Sequence, residues 1–400
     1  MKSPVLRITP SEVHLSDPEN YEKIYHVGTK YWKSPEFYGV FETGTSAFGT
    51  FSNELHRVRR AALSPLFSRK VVLDLEEIVQ SKVQKFCDRT ASMLNDNQPV
   101  NLHNGFRAVS IDVLTDYAFD NCYDLLDKPG FGEEFFTMIR GLFGTFWFFL
   151  QWPILQKISM NTPMWLAKVL SKPVGMFLQM QEECRQQVVA IKAAVDAHGK
   201  PPTRVTIFHH LLDPNATEGH VVPSVDDLKY EAFSLVAGTS DTTGNALTIA
   251  AYHIVSNDSI YRRLVTELKE AFPDRSHALD FVTLEKLPYL TAMLLKHPKT
   301  IIRSYRAIAT SDTAPWCGLQ RIYDPTRRMP HHLVVGMSAW MMHRNQVIFE
   351  NAENFDPERW LHPEYAKRLE KYLVAFSKGS RGCLGMKYIS SGRKSLSIRG

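Results

Sequence analysis

Apolar residues recur at helical spacing through most of this chain. Between residues 72 and 86, five of them share one face of a predicted helix: Val72, Leu75, Val79, Val83 and Phe86. Ser68 stands directly before this stripe and is a favourable N-cap residue. Similar patterns continue to about residue 200. The body of the chain is therefore predicted to be helical.

Two short segments near the N-terminus, residues 5–8 and 12–15, have the composition of short strands. After about residue 296 the helical pattern gives way to β-like and loop-like sequence. No internal repeat, low-complexity tract or linker interrupts the sequence. We therefore predict one domain over residues 1–400, mainly α with a small β portion.

The longest predicted helix begins at an N-cap, Ser224, and ends near Val255. Its middle, residues 238–244, is rich in Gly, Ser and Thr, which are poor helix formers whose hydroxyls bond the local backbone. Either this run separates two helices, or it has a chemical task within one helix. An acid beside an alcohol, as at Asp241 and Thr242, is able to relay protons to dioxygen bound at a metal.

The composition excludes few classes of protein. Apolar residues make up 44% of the chain, and the formal net charge is +5 with the basic residues scattered, so we predict no nucleic-acid partner. A basic face for an acidic redox partner or a membrane surface stays open beside a plainly solvated surface. The five cysteines lie far apart without a CxxC pair, which indicates a reducing compartment.

The most apolar stretch, residues 142–150, is too short to span a membrane. Core packing is the first interpretation of this stretch, and a pocket wall or a contact with a membrane are the alternatives. No other stretch reaches the length of a spanning helix, so no transmembrane anchor is predicted in this chain.

Residues 376–385 hold a single cysteine in a glycine-rich, basic loop. The glycines allow the backbone to turn tightly and to approach a flat group closely. Cys383 is the candidate metal ligand, because nearby positive charge favours its thiolate. No second Cys or His lies at the spacing of a structural zinc site, whereas one thiolate suits a haem iron. A surface turn with an inert thiol is the alternative for this loop taken alone.

The loop resembles the haem-binding signature of the cytochrome P-450 monooxygenases, Phe-x-x-Gly-x-Arg-x-Cys-x-Gly. Every fixed position is matched: Phe376, Gly379, Arg381, Cys383 and Gly385. The resemblance implies heme b as the cofactor, with the Cys383 thiolate as axial ligand of the iron and Arg381 at a propionate. In detail the sequence looks closest to the fungal trichodiene-oxygenase-like members of the family.

Three further segments resemble the same family. His56 and Arg60 match a (Trp/His)-x-x-x-Arg pair on the helix that meets the haem propionates, and their spacing places them on one helix face. Arg359 matches the arginine of a Pro-Glu-Arg-(Phe/Trp) segment, which implies that it braces the cysteine loop. The third segment is the middle of the long predicted helix.

Residues 238–243 resemble the oxygen-activation motif (Ala/Gly)-Gly-x-(Asp/Glu)-Thr-(Thr/Ser). This implies that Asp241 and Thr242 assist oxygen activation. Thr239 stands where the family usually has Gly, and we expect its side chain to narrow the groove in which dioxygen binds.

Two regions depart from the family pattern. Residues 297–300 read His-Pro-Lys-Thr where the family carries Glu-x-x-Arg, so Arg359 loses its expected carboxylate, and Pro298 would end the helix. Residues 297–330 as a whole look foreign to the family, and residues 387–400 form a polar tail where an apolar helix is expected. The resemblance therefore predicts a cytochrome P-450-like fold that is incomplete at both ends.

The resemblance implies a haem-thiolate monooxygenase that hydroxylates an apolar, terpenoid-like secondary metabolite with O2. It implies electrons from an NADPH-cytochrome P-450 reductase on the cytoplasmic side of the endoplasmic reticulum, and it leaves peripheral membrane contact open. The missing Glu-x-x-Arg and the atypical C-terminal tail motivate one alternative: an inactive, degenerate relative, or an incorrect gene prediction for an active one. A helical protein that binds an apolar ligand without chemistry is the other alternative.

Overall fold

The computed structural model describes residues 5–119, 121–198, 204–274, 279–295, 319–323 and 333–386. The strands in these ranges are β1 (Val5–Thr9), β2 (Glu12–Leu15), β3 (Trp32–Lys33), β4 (Leu319–Tyr323) and β5 (Val334–Ser338). The α-helices in these ranges are α1 (Asn20–Ile24), α2 (Pro35–Tyr38), α3 (Asn53–Leu63), α4 (Arg69–Asp74), α5 (Glu76–Asn95), α6 (Leu102–Phe119), α7 (Glu133–Gln151), α8 (Pro153–Met160), α9 (Met164–Leu170), α10 (Lys172–His198), α11 (Ile207–Leu212), α12 (Val225–Val255), α13 (Asp258–Ala271), α14 (Phe281–Lys286), α15 (Pro288–Leu295), α16 (Ala339–His343) and α17 (Pro363–Glu370).

The five strands form one sheet in the order β1-β2-β5-β4-β3. β1 and β2 are antiparallel, β2 pairs in parallel with β5, and β4 is antiparallel to both β5 and β3. The two predicted N-terminal strands are confirmed. β4 places five residues of the segment that departs from the family pattern in this sheet, beside Trp32 and Lys33 of β3.

α6 lies at the centre of the helical body, and nearly all of its residues are buried, including charged ones. α12 packs along α6, α10 packs against both helices, and α5 packs against α6. Gly244 of α12 permits the close approach, because a Cβ at this position would lie 2.2 Å from Cγ of Arg107 in α6. The core of the protein is therefore built around the contact between these two helices.

The predicted apolar stripe of residues 72–86 is confirmed, and its bounds are corrected. All five of its side chains are buried. Ser68 caps α4 through its hydroxyl, which accepts from the Val71 N–H. The stripe then crosses a turn at Leu75, where ψ is 0°, and continues along α5. Two consecutive helices therefore stand where the pattern predicted one.

α12 runs unbroken through the hydroxyl-rich segment, so the interpretation of that segment as a break between two helices is wrong. The Ser224 hydroxyl caps the helix by accepting from the Asp227 N–H at 3.1 Å. The Thr242 hydroxyl donates to the carbonyl of Gly238, four residues earlier, at 2.8 Å. The hydroxyls therefore bond within the helix instead of ending it.

The apolar stretch of residues 142–150 lies in α7. Phe146 and Phe149 are buried, and Phe146 packs edge-on against the rings of Phe41 and Phe177. Phe148 is half exposed. The prediction of core packing is confirmed for the two buried rings.

Within the described ranges, no helix combines the length and apolar character needed to cross a bilayer. The Glu-x-x-Arg position at residues 297–300 and the tail at residues 387–400 lie outside the described residues.

Candidate haem site

The cysteine loop, residues 376–385, is closed by its own backbone. The Cys383 N–H donates to the Phe376 carbonyl at 2.8 Å, and the Gly382 N–H donates to the Gly379 carbonyl at 3.1 Å. Cys383 itself is exposed. The loop therefore presents its thiol to any group that docks against it.

Gly379 allows this loop to lie directly against the N-terminal segment. Its φ is +66°, and a Cβ at this position would lie 2.4 Å from the carbonyl oxygen of Tyr25. The Ser380 hydroxyl accepts from the Gly28 N–H at 3.3 Å in the same contact. A tertiary contact as well as the backbone conformation therefore requires glycine at this position of the motif.

Arg381 ties the loop to the turn that precedes α3. Its guanidinium donates to the carbonyls of Thr50 at 2.7 Å and Phe51 at 2.8 Å, and to Oδ1 of Asn53 at 3.1 Å. Its buried Nε has no hydrogen-bond partner in the described part of the chain. Burial lowers the pKa of Arg381 to about 10. The acceptors of this cation are thus neutral groups.

His56 and Arg60 of α3 lie beside Arg381, as the resemblance implied. His56 is buried, and its pKa falls to about 3, first through burial and then through the charges of Arg381, Lys33 and Arg60. Burial also lowers the pKa of Arg60, while Cys383 acts on it in the opposite direction. The structure therefore brings the predicted basic residues and the cysteine to one place.

The segment before α3 is fixed to α12 by a buried carboxylate. Oε2 of Glu231 accepts from the Ala47 N–H at 2.7 Å, and the Ser234 hydroxyl donates to the Ser46 hydroxyl at 2.9 Å. Burial raises the pKa of Glu231 to about 7. These contacts hold the turn that binds Arg381 at a defined position relative to α12.

At Gly238, the described residues leave open space beside α12. A Cβ built on Gly238 would meet no atom of the described residues within 4 Å. Thr242, one turn further on, is partly exposed on this side and is joined to Gly238 by its hydroxyl hydrogen bond. Within the described residues, Thr242 therefore borders this open space, which we call the groove.

Asp241 points into the core against α6. Its carboxylate pairs with Arg107, whose side chain is fully buried. Arg107 also donates from Nε to the Ser240 carbonyl at 3.1 Å, and its guanidinium carbon lies 3.9 Å from the ring centroid of Phe136. Burial raises the pKa of Asp241, and Arg107 opposes this effect. Asp241 and Thr242 are adjacent in sequence, but they have different surroundings.

Arg359 is buried and finds a carboxylate close to it in sequence. Nε donates to the Asp356 carbonyl at 3.2 Å and lies 3.7 Å from Oδ2 of the same residue. A terminal nitrogen donates to the Asn351 carbonyl at 3.3 Å. In the described residues, these bonds hold the segment before the cysteine loop and do not reach residues 376–385. The expected loss of a carboxylate partner is thus partly offset by Asp356.

Among the described residues, one other cluster has the composition of a metal site. Ligand atoms of Asp112, Cys122 and Asp124 lie within 4.8 Å of one another. The Asp112 carboxylate, however, accepts the N–H groups of Leu125 and Leu126 at 2.8 and 2.9 Å. Nζ of Lys82 also lies 3.3 Å from the Cys122 sulfur, which places a positive charge where the metal would be. The Asp112 carboxylate therefore has a structural role, because it binds the backbone N–H groups of Leu125 and Leu126.

The cysteine loop and the basic residues fit a haem. Heme b would be held through its iron and through its two propionate carboxylates, and an exposed thiol beside a group of cations complements both. In the described residues, no carboxylate forms an ion pair with Arg60 or Arg381. Partly buried cations of this kind are costly to keep charged unless an anion neutralises them. Fold and site together define a haem-thiolate protein.

The chain belongs to the cytochrome P-450 family, whose family model matches residues 9–388. It is 32% identical over 384 residues to a cytochrome P-450 monooxygenase of Penicillium terrestre, which covers 96% of this chain and 74% of that protein. A cytochrome P-450 monooxygenase of Cochliobolus heterostrophus is 33% identical over 391 residues, which are 96% of this chain and 72% of that protein. An N-acetyltryptophan 6-hydroxylase of Emericella nidulans is 31% identical over 395 residues, which are 96% of this chain and 74% of that protein.

The predicted family, the monooxygenase activity and the haem-thiolate cofactor are thereby confirmed. Membership also implies a redox partner and a small-molecule substrate. These relatives are fungal, and they do not distinguish the trichodiene-oxygenase-like members from others.

Two residues of this region were not predicted from the sequence. Lys33 lies in a two-residue strand, where nothing in the local pattern indicates burial among other cations. Arg107 interrupts an otherwise apolar part of α6, and a charge within such a stretch is a signal for a buried ion pair. Its partner, however, becomes evident only from the packing of α6 on α12.

Proposed function

We propose that this chain hydroxylates an apolar, terpenoid-like secondary metabolite with dioxygen, using electrons from an NADPH-cytochrome P-450 reductase. The observation that carries the proposal is the exposed Cys383 in its closed loop, next to cations that form no ion pair with a carboxylate of the described residues. Haem, when bound, supplies the iron chemistry that activates dioxygen. The terpenoid class rests on the likeness of the sequence to the trichodiene-oxygenase-like members.

In this proposal Cys383 is the axial ligand of the iron, and His56, Arg60 and Arg381 hold the propionates. Phe376, Gly379 and Gly385 shape the loop that carries the ligand. The loop is supported by the Cys383–Phe376 backbone bond and by the contact of Gly379 with Tyr25. Arg381 has a second task, because its bonds to the turn before α3 connect the ligand loop to the helix that carries His56 and Arg60.

Thr242 and Asp241 are proposed to deliver protons for oxygen activation. Thr242 borders the open groove, and its hydroxyl can turn from the Gly238 carbonyl to a group in the groove. The ion pair with Arg107 holds Asp241 in its charged, proton-accepting form. To pass a proton to the groove, the Asp241 side chain has to leave Arg107 and turn towards Thr242.

A second substrate class follows from a named relative, the N-acetyltryptophan 6-hydroxylase. An aromatic amino-acid derivative differs from a terpene hydrocarbon in carrying a carboxylate. Displacement of iron-bound water by substrate shifts the Soret band, so titration of the purified haem protein separates the two classes. We expect a bicyclic sesquiterpene hydrocarbon to produce the shift and N-acetyltryptophan to produce none.

The reverse result in this titration would overturn the terpenoid assignment. Turnover with reductase and NADPH then identifies the hydroxylated product by mass. A protein that takes up haem but oxidises neither compound with reductase would support the inactive alternative that the altered residues 297–300 suggest.

We further propose that the chain works at the cytoplasmic face of the endoplasmic reticulum, with α8 and α9 against the membrane. Both helices expose large apolar side chains: Ile154 (69%), Ile158 (61%), Trp165 (71%), Val169 (79%) and Leu170 (72%). Lys157 and Lys168 stand among them and suit an anionic surface. Exposed apolar side chains of this size mark membrane contacts when they lie together on a surface.

Replacing Ile158 and Val169 by glutamate is expected to lower binding to vesicles of phosphatidylcholine and phosphatidylserine at least severalfold, because both charges would enter the apolar layer. Co-sedimentation measures the bound fraction. Val347→Glu is the matched control, since Val347 is also apolar and 92% exposed but lies elsewhere in the chain. Equal binding by all three proteins would contradict this orientation.

A further inference from the structure

Lys33 places a buried amino group next to the proposed propionate site. The residue is 7% exposed, and its Nζ donates to the Phe48 carbonyl at 2.6 Å. The Nζ atom also lies over the rings of Tyr38 and Phe48, 4.1 Å from the centroid of each ring. The rings stabilise a cation but carry no net charge, so they do not neutralise it.

The charged groups that act on Lys33 are positive. Burial, then Arg381 and Arg60, hold the pKa of Lys33 well below its usual range. In the described residues, no carboxylate forms an ion pair with its Nζ, and its hydrogen-bond acceptor is a neutral carbonyl. A lysine amine in such surroundings keeps its charge only if an anion is supplied from outside the protein chain.

Lys33 and Arg381 bind to the same short stretch of backbone. Lys33 holds the carbonyl of Phe48, and Arg381 holds the carbonyls of Thr50 and Phe51. The Asn53 side chain closes the arrangement by donating to the Thr29 and Tyr31 carbonyls at 2.8 and 2.9 Å, just before the strand that carries Lys33. α3, with His56 and Arg60, begins at the end of this stretch. The two cations therefore converge on one region.

We propose that Lys33 is a further haem-binding residue, whose ammonium group pairs with a propionate carboxylate alongside Arg60 and Arg381. This inference rests on the proposed haem site and extends it to a residue outside the recognised motifs. In this role Lys33 is the fourth basic group of the cluster, and it neutralises a carboxylate from the side of the sheet, whereas His56 and Arg60 act from α3.

The experiment compares heme b with its dimethyl ester, in which both carboxylates are masked. Full-length chain is expressed under haem limitation, reconstituted with either porphyrin, and mixed with excess apomyoglobin, which takes up released porphyrin. Lys33→Met is expected to speed the loss of heme b by on the order of ten- to a hundredfold, as for a lost hydrogen bond to a charged group. It should leave the loss rate of the dimethyl ester close to that of the unaltered chain.

The control is Lys30→Met, because Lys30 is exposed and lies only three residues away. It should change neither rate. Lys33→Gln serves as the second variant, since it keeps a donor for the Phe48 carbonyl but no charge, and it should show the same selective loss of heme b. Equal acceleration for both porphyrins, or no acceleration for heme b, would overturn the role of Lys33. Failure of the unaltered chain to bind heme b would instead refute the proposed site itself.

Discussion

Cys383→Ala is expected to remove the thiolate-type Soret band of the reduced, carbon monoxide-bound protein and to abolish hydroxylation. Cys383 is the cysteine that lies in the glycine-rich loop beside Arg60, and its exposed sulfur has no substitute among the loop residues. Without the thiolate, the iron loses the ligand that characterises this class of protein. We expect the fold to survive, because the Cys383–Phe376 hydrogen bond uses the backbone N–H, which alanine retains.

The measurement is the reduced difference spectrum with carbon monoxide, together with circular dichroism of the same samples. Cys87→Ala is the matched control, since Cys87 lies in α5, and its spectrum should be unchanged. A Cys383→Ala protein with the thiolate band intact would show that another group binds the iron. A normal fold without any haem would show that Cys383 is required for retention of the cofactor as well as for its electronic properties.

Arg107→Met is expected to lower the free energy of unfolding by about 3–5 kcal/mol, the range for removal of one partner from a buried ion pair. Both partners are almost completely shielded from solvent, so the remaining Asp241 carboxylate would be left without a counter-charge. Methionine fills part of the space that the arginine stem occupies against Gly244, so packing alone does not account for a loss of this size.

The loss of stability caused by Arg107→Met is expected to depend on pH through the Asp241 carboxyl group. Burial raises the pKa of Asp241, and Arg107 opposes that rise. Without Arg107 the native protein therefore holds the Asp241 proton more tightly than the unfolded chain does. A group with a raised native pKa contributes stability at low pH that is lost as the pH rises through that pKa. The penalty of Arg107→Met should consequently be larger at pH 8 than at pH 5.

Urea denaturation at the two pH values measures the effect, and two further variants make it specific. Asp241→Asn and the double variant complete a mutant cycle, in which the double variant should be less destabilised than the sum of the single changes. Arg185→Met is the surface control: its Glu182 pair is partly exposed, so we expect a change of about 0–1 kcal/mol. Additive single and double changes would mean that the pair contributes no coupling.

Much of the helical framework could be predicted from the sequence, because amphipathic helices show their buried face as a repeat. The stripe from Val72 to Phe86 is an example, since every member is buried as predicted. The break at Leu75 was not predictable, because it leaves the spacing of the apolar residues almost unchanged. The middle of α12 looked like a helix break in the sequence, because Gly, Ser and Thr are poor helix formers. The helix continues there because the Thr242 hydroxyl bonds within it and because packing against α6 stabilises it.

The candidate site also has a part that the sequence predicts and a part that it does not. The loop that carries Cys383 is a local feature, so its five fixed positions could be found in one ten-residue window. The partners of that loop come from distant segments. Tyr25 lies against Gly379, and Thr50 and Phe51 accept hydrogen bonds from Arg381 across more than 300 residues of sequence. Such contacts leave no periodic trace in the sequence.

The sequence by itself determined the helical class, the cysteine loop and the acid–alcohol pair at Asp241 and Thr242, because each depends on residue types at short spacing. Only the tertiary structure decided what those residues face. It directs Asp241 into the core against Arg107 and leaves Thr242 beside the groove, and it adds Lys33 to the cations near the loop. The physical reason is that the burial of a charged group and the identity of its counter-charge depend on which segments pack together. Segments that are distant in the sequence carry no local pattern that identifies them as neighbours.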